Sequence, residues 1–104
     1  MVMTNTFDLL AEPNRRRILE ELGKGECSVG TLVERLAMSQ PAVSKQLRVL
    51  RESGLAAVRR EGQRRIYRLD PDRLKEVDDW LAPFRAYWER RLDALERTLD
   101  DMEK

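Results

Sequence analysis

The apolar positions in the first half of the chain recur with the period of α-helices that bury one face. Four helices are predicted, over residues 6–11, 15–22, 29–37 and 40–53. Ser28 and Ser39 directly precede the third and fourth helices, and a serine hydroxyl can accept a hydrogen bond from an unpaired N–H of the first turn. Gly54 then follows the fourth helix, where a left-handed residue commonly ends a helix. Together these signals predict two successive capped helices joined by a tight turn.

Beyond residue 54 the pattern shifts toward the two-residue period of β-strands. Segments 55–60 and 63–69 are two short strand candidates, and a hairpin turn is predicted at Glu61-Gly62 between them. Asp70-Pro71 has the sequence of a helix start. The remaining residues, 72–104, are strongly helical in pattern, with an interruption predicted at Pro83.

This order of elements predicts a mainly α fold with a small β-hairpin. Two helices joined by a tight turn and followed by a basic hairpin form a winged helix-turn-helix. The length of 104 residues fits one domain, over residues 1–104. Within it we expect a DNA-binding core and wing at 6–70 and a long C-terminal helix at 71–104.

Charge is unevenly distributed along the chain. The 20 basic and 19 acidic residues give a net charge of only +1. Residues 45–68, however, hold eight basic and two acidic residues, a local excess of six positive charges. A basic block within a nearly neutral chain indicates a surface that binds a polyanion.

Composition excludes several other functions. The chain has no histidine and one cysteine, so it lacks a histidine general base, an intrachain disulfide and a cysteine cluster for zinc. Signatures that pair a nucleophile with a base are absent, so an enzyme is not expected. No apolar run approaches the length of a membrane helix and no signal peptide is recognisable, which predicts a cytoplasmic protein without a membrane partner.

The fourth helix presents a polar face that suits DNA. Short polar groups lie near its start and cations lie further along, as in a recognition helix whose first residues reach base edges. The arginines of the hairpin flank Gly62 on both sides, and cations so close together favour an anion between them. The predicted DNA-binding residues are Ser39, Gln40, Pro41, Ser44, Lys45, Gln46, Arg48, Arg59, Arg60, Arg64, Arg65 and Tyr67.

Other interpretations of this basic surface remain open. It could be an ordinary solvated face, or the fold could serve as a protein-interaction module, although that use does not require the wing arginines. An RNA-binding winged helix usually exposes aromatic residues for base stacking. The basic face here offers only Tyr67.

The last helix carries an apolar seam. Its large apolar residues follow one another at steps of four and three, which places them on one face that a monomer of this size would leave uncovered. A second copy of the chain would cover the seam and would set two recognition helices about 34 Å apart. The dimer residues predicted on this helix are Phe84, Trp88, Leu92, Leu95 and Leu99.

Segments 38–55, 58–62 and 67–69 together resemble the ArsR/SmtB family of bacterial winged-helix repressors, and residues 12–19 look like the second helix of that family. The resemblance covers about residues 6–70. It implies a homodimeric transcriptional regulator that binds a palindromic operator and dimerises through its first and last helices. This implication adds Phe7 and Leu10 of the first helix to the predicted dimer residues.

The resemblance also bears on metals. Metal-sensing members of the family carry a Cys-x-Cys-like pair at the start of the third helix, or Asp, His and Glu ligands on the last helix. Here Ser28 occupies the position usual for the ligand and Cys27 lies one place away. We therefore expect the metal-independent branch, with no metal and no cofactor. A redox- or thiol-responsive regulator that uses Cys27 is the alternative, because a helix start lowers a thiol pKa.

Overall fold

A computed structural model describes residues 5–103, in which five helices surround a three-stranded antiparallel sheet. The helices are α1 (Thr6–Ala11), α2 (Pro13–Lys24), α3 (Val29–Leu36), α4 (Gln40–Glu52) and α5 (Leu74–Met102). The strands are β1 (Cys27–Ser28), β2 (Ala56–Glu61) and β3 (Arg64–Leu69), in the order β1-β3-β2. The predicted mainly helical winged helix-turn-helix with a long last helix is confirmed.

The caps predicted for the two central helices are present. The Ser28 hydroxyl accepts a hydrogen bond from Thr31 N, and the Ser39 hydroxyl accepts one from Ala42 N, each at 3.2 Å. These bonds satisfy N–H groups that have no partner within their own helix. The Glu12 carboxylate caps α2 in the same way, so this helix begins two residues earlier than predicted.

A contiguous apolar core holds the first four helices to the sheet. Helices α2, α3 and α4 contribute the faces that their periodicity predicts, and α4 contributes Val43, Leu47 and Leu50. In α1 it is Leu9 that enters the core, whereas Phe7 is exposed. Burial of these leucine and valine side chains is the main driving force for packing. The other members of the core are Leu9, Ile18, Leu19, Leu22, Cys27, Leu32, Leu36, Leu55, Ala56 and Tyr67.

The sheet differs from the sequence prediction in two ways. Strand β1 was not predicted, because two residues are too few to show a period, and it pairs Cys27 with Tyr67 of β3. The hairpin turn lies at Gly62-Gln63, one residue later than predicted, because Glu61 pairs with Arg64. Gly62 has φ +62° and Gln63 has a negative φ, the signs of a type II′ turn with glycine at its first central position.

Helix α5 starts later than predicted and is continuous where an interruption was expected. The Asp70 N–H donates to the Leu55 carbonyl at 2.9 Å, and a turn follows in which the Leu74 N–H donates to the Pro71 carbonyl at 2.9 Å before the helix begins at Leu74. Pro83 lies inside α5 and does not break it. The carbonyl four residues earlier belongs to Asp79, an exposed residue, and it has no N–H partner at the proline. Position 104, predicted to end this helix, lies outside the described residues.

Candidate nucleic-acid interface

Helices α3 and α4 form the helix-turn-helix corner. Ala37 ends α3 in the left-handed conformation with φ 52°, and Ser39 starts α4 two residues later. The buried face of α4 fixes its rotation against the core, so the opposite face projects outward. The outward residues, all exposed, are Gln40, Pro41, Ser44, Lys45, Arg48 and Arg51.

A cleft of about 310 Å³ lies between this outward face and the wing, the name we use for the β2–β3 hairpin. Gln40, Ser44 and Arg48 line one side of the cleft and Arg65 lines the wing side. Polar groups near the start of α4 and a wing cation therefore converge on one open surface. Such an arrangement can engage base edges and a phosphate together.

The strand register divides the wing into two faces. Arg60 lies opposite Arg65, and both are two residues from the opposed pair Val58 and Tyr67. Because side chains alternate along a strand, all four lie on one face, which we call the inner wing face. Arg59, Glu61 and Arg64 lie on the other, outer wing face.

The cations of the two faces have different partners. Arg59, on the outer face, donates to the Glu26 carboxylate at 2.8 Å and to the Glu61 carboxylate at 2.9 Å. Within residues 5–103, Arg60 and Arg65 form no ion pair. The inner wing face therefore carries two arginines whose charge is free for an external anion. On the outer face Arg59 is paired, whereas Arg64 forms no ion pair within the described residues.

The hydrogen bond between Arg59 and Glu26 also shifts the pKa values of both groups. The Arg59 guanidinium beside Glu26 lowers the pKa of that carboxyl, first through the hydrogen bond and then through charge attraction. The two carboxylates raise the pKa of Arg59 in turn. Arg59 is thus a fully charged side chain whose donors face carboxylates of its own chain.

Two predicted DNA-binding residues are placed differently from the expectation. Tyr67 is 6% exposed and belongs to the core, although it also lines the cleft between α4 and the wing, so its contact with DNA stays a prediction. Its position on β3, opposite Cys27 of β1, turns the ring inward. Gln46 is half-buried and its carboxamide oxygen accepts from Arg15 at 3.3 Å. Its amide therefore has a partner inside the protein.

Other predicted residues lie on the surface as expected. Ser39 is exposed, although its hydroxyl is used as the α4 cap. Arg48 is exposed and pairs with Glu52 at 3.0 Å along the helix. Arg51, which also lines the cleft, was not among the predicted site residues. Its spacing of seven residues from Ser44, two helical turns, could have identified it from the sequence.

The first half of the chain matches the model of a helix-turn-helix domain over residues 10–59. The chain is 40% identical to the HTH-type transcriptional regulator Rv2034 of Mycobacterium tuberculosis, over 90% of this chain and 85% of the relative. It is 30% identical to the transcriptional repressor SdpR of Bacillus subtilis, over 79% and 91% of the two chains. It also resembles the solved structure of an ArsR-like transcriptional regulator from Rhodococcus, with a TM-score of 0.66, 33% identity and coverage of 88% and 86%.

The chain belongs to the ArsR/SmtB family. It is a DNA-binding transcriptional regulator of the winged helix-turn-helix type and not an enzyme. In this ArsR-family chain, the α3–α4 corner and the wing are therefore the candidate DNA-contacting elements.

The last helix of this ArsR-family regulator has no buried residue. Its large apolar side chains point to one side and are 40–77% exposed. Phe7 of α1 packs against Trp80 with ring centroids 5.7 Å apart, which joins α1 to the same apolar surface. We call this surface the α1–α5 seam, and it contains Phe7, Trp80, Leu81, Phe84, Tyr87, Trp88, Leu92, Leu95, Leu99 and Met102. Leu10, the remaining predicted dimer residue, is partly buried against the core.

Cys27, the residue considered for metal or redox sensing, is buried in the regulator. Cys27 is 4% exposed, and its Sγ lies 3.4 Å from the Gly25 carbonyl oxygen. Residues 5–103 contain no group of three or more His, Cys, Asp or Glu side chains arranged to hold a metal ion. None of the helices in the described part of the chain has the length and apolarity of a membrane span.

Proposed function

We propose that the protein is a homodimeric, metal-independent repressor that binds a palindromic operator in the cytoplasm. The observation that carries this proposal is the cleft in which Gln40 and Ser44 of α4 meet Arg65 of the wing. A recognition helix in the major groove and a cationic wing on the flanking backbone would use both sides of that cleft at once. Repression is supported by the similarity to SdpR, which is itself named a transcriptional repressor.

The contacts fall into two groups by their reach. Gln40, Ser44 and Lys45 lie in the first two turns of α4, where side chains reach base edges: the glutamine amide suits adenine and the lysine suits guanine. Arg60 and Arg65 on the inner wing face suit phosphates or the narrow minor groove. The first group would select the sequence, while the second would hold the protein on any DNA.

The exposed α1–α5 seam supports the homodimer. Ten large apolar side chains on one surface exceed what an isolated soluble monomer usually exposes. A second copy of the same seam would bury them through a two-fold interface, and the two-fold would be matched by a palindromic DNA site. The same symmetry doubles every DNA contact.

A footprint on the promoter region of the protein's own gene tests the proposal directly. We expect protection of two half-sites whose centres lie about one turn of DNA, roughly 34 Å, apart. Equal affinity for this region and for a random duplex at the same salt concentration would contradict sequence-specific repression. Protection of a single half-site by a monomer would contradict the dimer.

Metal independence has its own test. Zinc, cadmium and arsenite salts added to the operator complex should leave its affinity unchanged, because the described residues offer no cluster of ligands and Cys27 is buried. Release of DNA at stoichiometric metal, abolished in Cys27→Ser, would instead support a thiol-based sensor. Release by an oxidant that the same substitution abolishes would support the redox alternative.

A further inference from the structure

The bond between Arg59 and Glu26 crosses the central strand of the sheet. Arg59 lies on β2 and Glu26 immediately precedes β1, while β3 runs between these two strands. The Arg59 guanidinium nevertheless donates to Glu26 at 2.8 Å, across 33 residues of sequence. This pair therefore joins the two edges of the sheet on its outer face.

The residue beneath this bond is buried without belonging to the main core. Ile66 of β3 lies opposite Arg59 on one side and opposite Ser28 of β1 on the other. It is 7% exposed, yet it lies outside the contiguous core cluster. The stem of an arginine that crosses β3 at this point covers an apolar side chain while its charged end reaches Glu26.

The wing needs such an attachment because its distal half has no third strand. Strand β1 pairs only with Ile66 and Tyr67, so the ribbon from Arg64 to the turn is two-stranded. A two-stranded ribbon is marginally stable on its own and is free to bend. The Arg59–Glu26 pair lies at the base of this ribbon, where the sheet still has three strands, and Arg59 also bonds Glu61 within the ribbon. The two bonds together link the ribbon to the edge of the body of the protein, close to the start of α3.

We infer that Arg59 is a positioning residue: held by Glu26 and Glu61, it fixes the angle of the wing so that the inner wing face points toward DNA. This assignment rests on the proposed function and divides the wing arginines by role. Arg60 and Arg65 would contact DNA, whereas Arg59 would act through the orientation of the hairpin that carries them.

A neutral variant of the partner separates this role from a direct DNA contact. Glu26→Gln removes a negative charge close to the DNA-binding surface. If Arg59 contacted phosphate, the loss of this competing carboxylate would leave affinity for DNA unchanged or raise it. If Arg59 positions the wing, the same substitution weakens operator binding although the protein has become more positive.

The experiment measures operator affinity at several salt concentrations for Glu26→Gln, Arg59→Ala and the double variant. We expect each single variant to bind about threefold more weakly per wing, hence about tenfold for an operator that engages two wings. The double variant should bind no more weakly than Arg59→Ala, because both substitutions break one interaction. The two single variants should lose the same amount of salt slope, because both act through the phosphate contacts of Arg60 and Arg65. A direct phosphate contact by Arg59 would instead reduce the slope in Arg59→Ala alone, by about one unit.

Glu20→Gln is the matched control. Glu20 is exposed on α2 and its side chain forms no hydrogen bond or ion pair within residues 5–103, so its neutralisation changes charge alone. We expect equal or slightly tighter binding in this variant. Glu26 and Arg59 side chains are each 45% exposed, so their substitution leaves the core intact.

A measurement without DNA keeps the positioning role distinct from the proposed function. Backbone amides of β2 and β3 in the free protein should exchange with solvent faster in Glu26→Gln than in the parent, because the hairpin has lost its link. Failure of the parent protein to bind an operator would reject the proposed function without affecting this result. Unchanged exchange, or operator binding that Glu26→Gln leaves intact while Arg59→Ala weakens it with a smaller salt slope, would overturn the inference.

Discussion

Arg60 and Arg65 lie directly opposite each other in the β2–β3 ladder, on the inner wing face. Like charges at opposed positions of an antiparallel pair destabilise the hairpin. A phosphate between them would remove the repulsion, so this pair is less favourable in the free protein than in a DNA complex.

Arg65→Ala should therefore change stability and DNA binding in opposite directions. We expect the free protein to unfold at the same or a slightly higher urea concentration, because one of the opposed charges is gone. Binding to operator and to random DNA should both weaken, and the salt dependence should lose about one unit of slope for each lost phosphate contact. Titrations of both duplexes at several salt concentrations check this expectation.

The control for this prediction is Arg90→Ala, since Arg90 is exposed on α5 outside the wing and the helix-turn-helix. It removes the same charge at a distance from the proposed interface. Equal loss of slope in both variants would mean that overall charge, not a wing contact, governs DNA binding.

Substitutions at the start of α4 should affect sequence discrimination instead. We expect Gln40→Ala or Lys45→Ala to cost about 1–3 kcal/mol on the operator and little on random DNA, because base contacts carry the specificity. Gln46→Ala should change the ratio of operator to random affinity less than these two substitutions do, since the side-chain oxygen of Gln46 is already bonded to Arg15. Competition between operator and random duplex measures the ratio; an equal loss on both DNAs would show that α4 does not contact bases.

The α4 face could be predicted from the sequence because its spacing is a local property. The same periodicity that buries Val43 and Leu47 also exposes Gln40 and Ser44, and no distant contact is needed to define it. The role of Gln46 could not be predicted in this way. Its partner Arg15 is 31 residues away and is brought close only when α2 packs against α4.

The roles of the wing residues also depend on contacts with distant residues, which the local sequence does not predict. The sequence places four arginines around Gly62 but contains no signal that distinguishes Arg59 from Arg65. That distinction arises from the register of β2 and β3 and from Glu26, which reaches the sheet through the unpredicted strand β1. Burial of Tyr67 likewise depends on distant parts of the chain, because the residue belongs to the core that the helices build against the sheet.

Disruption of the α1–α5 seam should abolish operator binding by separating the dimer. Leu95→Glu or Leu99→Glu places a charge on a surface that we expect to be buried against a second copy. Sedimentation at micromolar concentration should show a monomer of 12.2 kDa in each variant and a species of twice that mass in the parent. Arg97→Glu, on the opposite side of α5, is the matched control and should remain dimeric. A monomeric parent that still protects a two-part operator would contradict the seam.

Acid should weaken the link between the wing and the body of the protein. Arg59 lowers the pKa of Glu26 from its ordinary value of 4.5. The bond between the two groups therefore stabilises the folded state fully at pH values above 4.5. It is lost as the pH falls through the lowered pKa, because the folded state must then bind a proton that the unfolded state has already bound.

Urea unfolding between about pH 6 and about pH 3 tests this dependence. We expect Glu26→Gln to lose less stability than the parent over that range, since one proton-linked group has been removed. Glu21, whose pKa is lowered chiefly by a hydrogen bond from Lys24, contributes in the same direction and remains in both proteins. Identical acid limbs for the two proteins would show that the Glu26–Arg59 bond does not stabilise the folded state.

Two residues with positive φ, an alanine and a glycine, should change the stability of the protein in opposite directions when each is replaced by the other type. Ala37, in the turn of the helix-turn-helix, has φ 52°, where its Cβ is unfavourable, whereas Gly54 at the end of α4 has φ +81°. We expect Ala37→Gly to stabilise the protein by about 0.5–1 kcal/mol after the greater freedom of the unfolded chain is counted. Gly54→Ala should destabilise it by about 1 kcal/mol, through backbone strain, since the added Cβ would lie 3.7 Å from Arg73 Cδ in an ordinary contact. Urea unfolding at one fixed protein concentration measures both changes, and a loss of stability in Ala37→Gly would show that the left-handed turn imposes no strain.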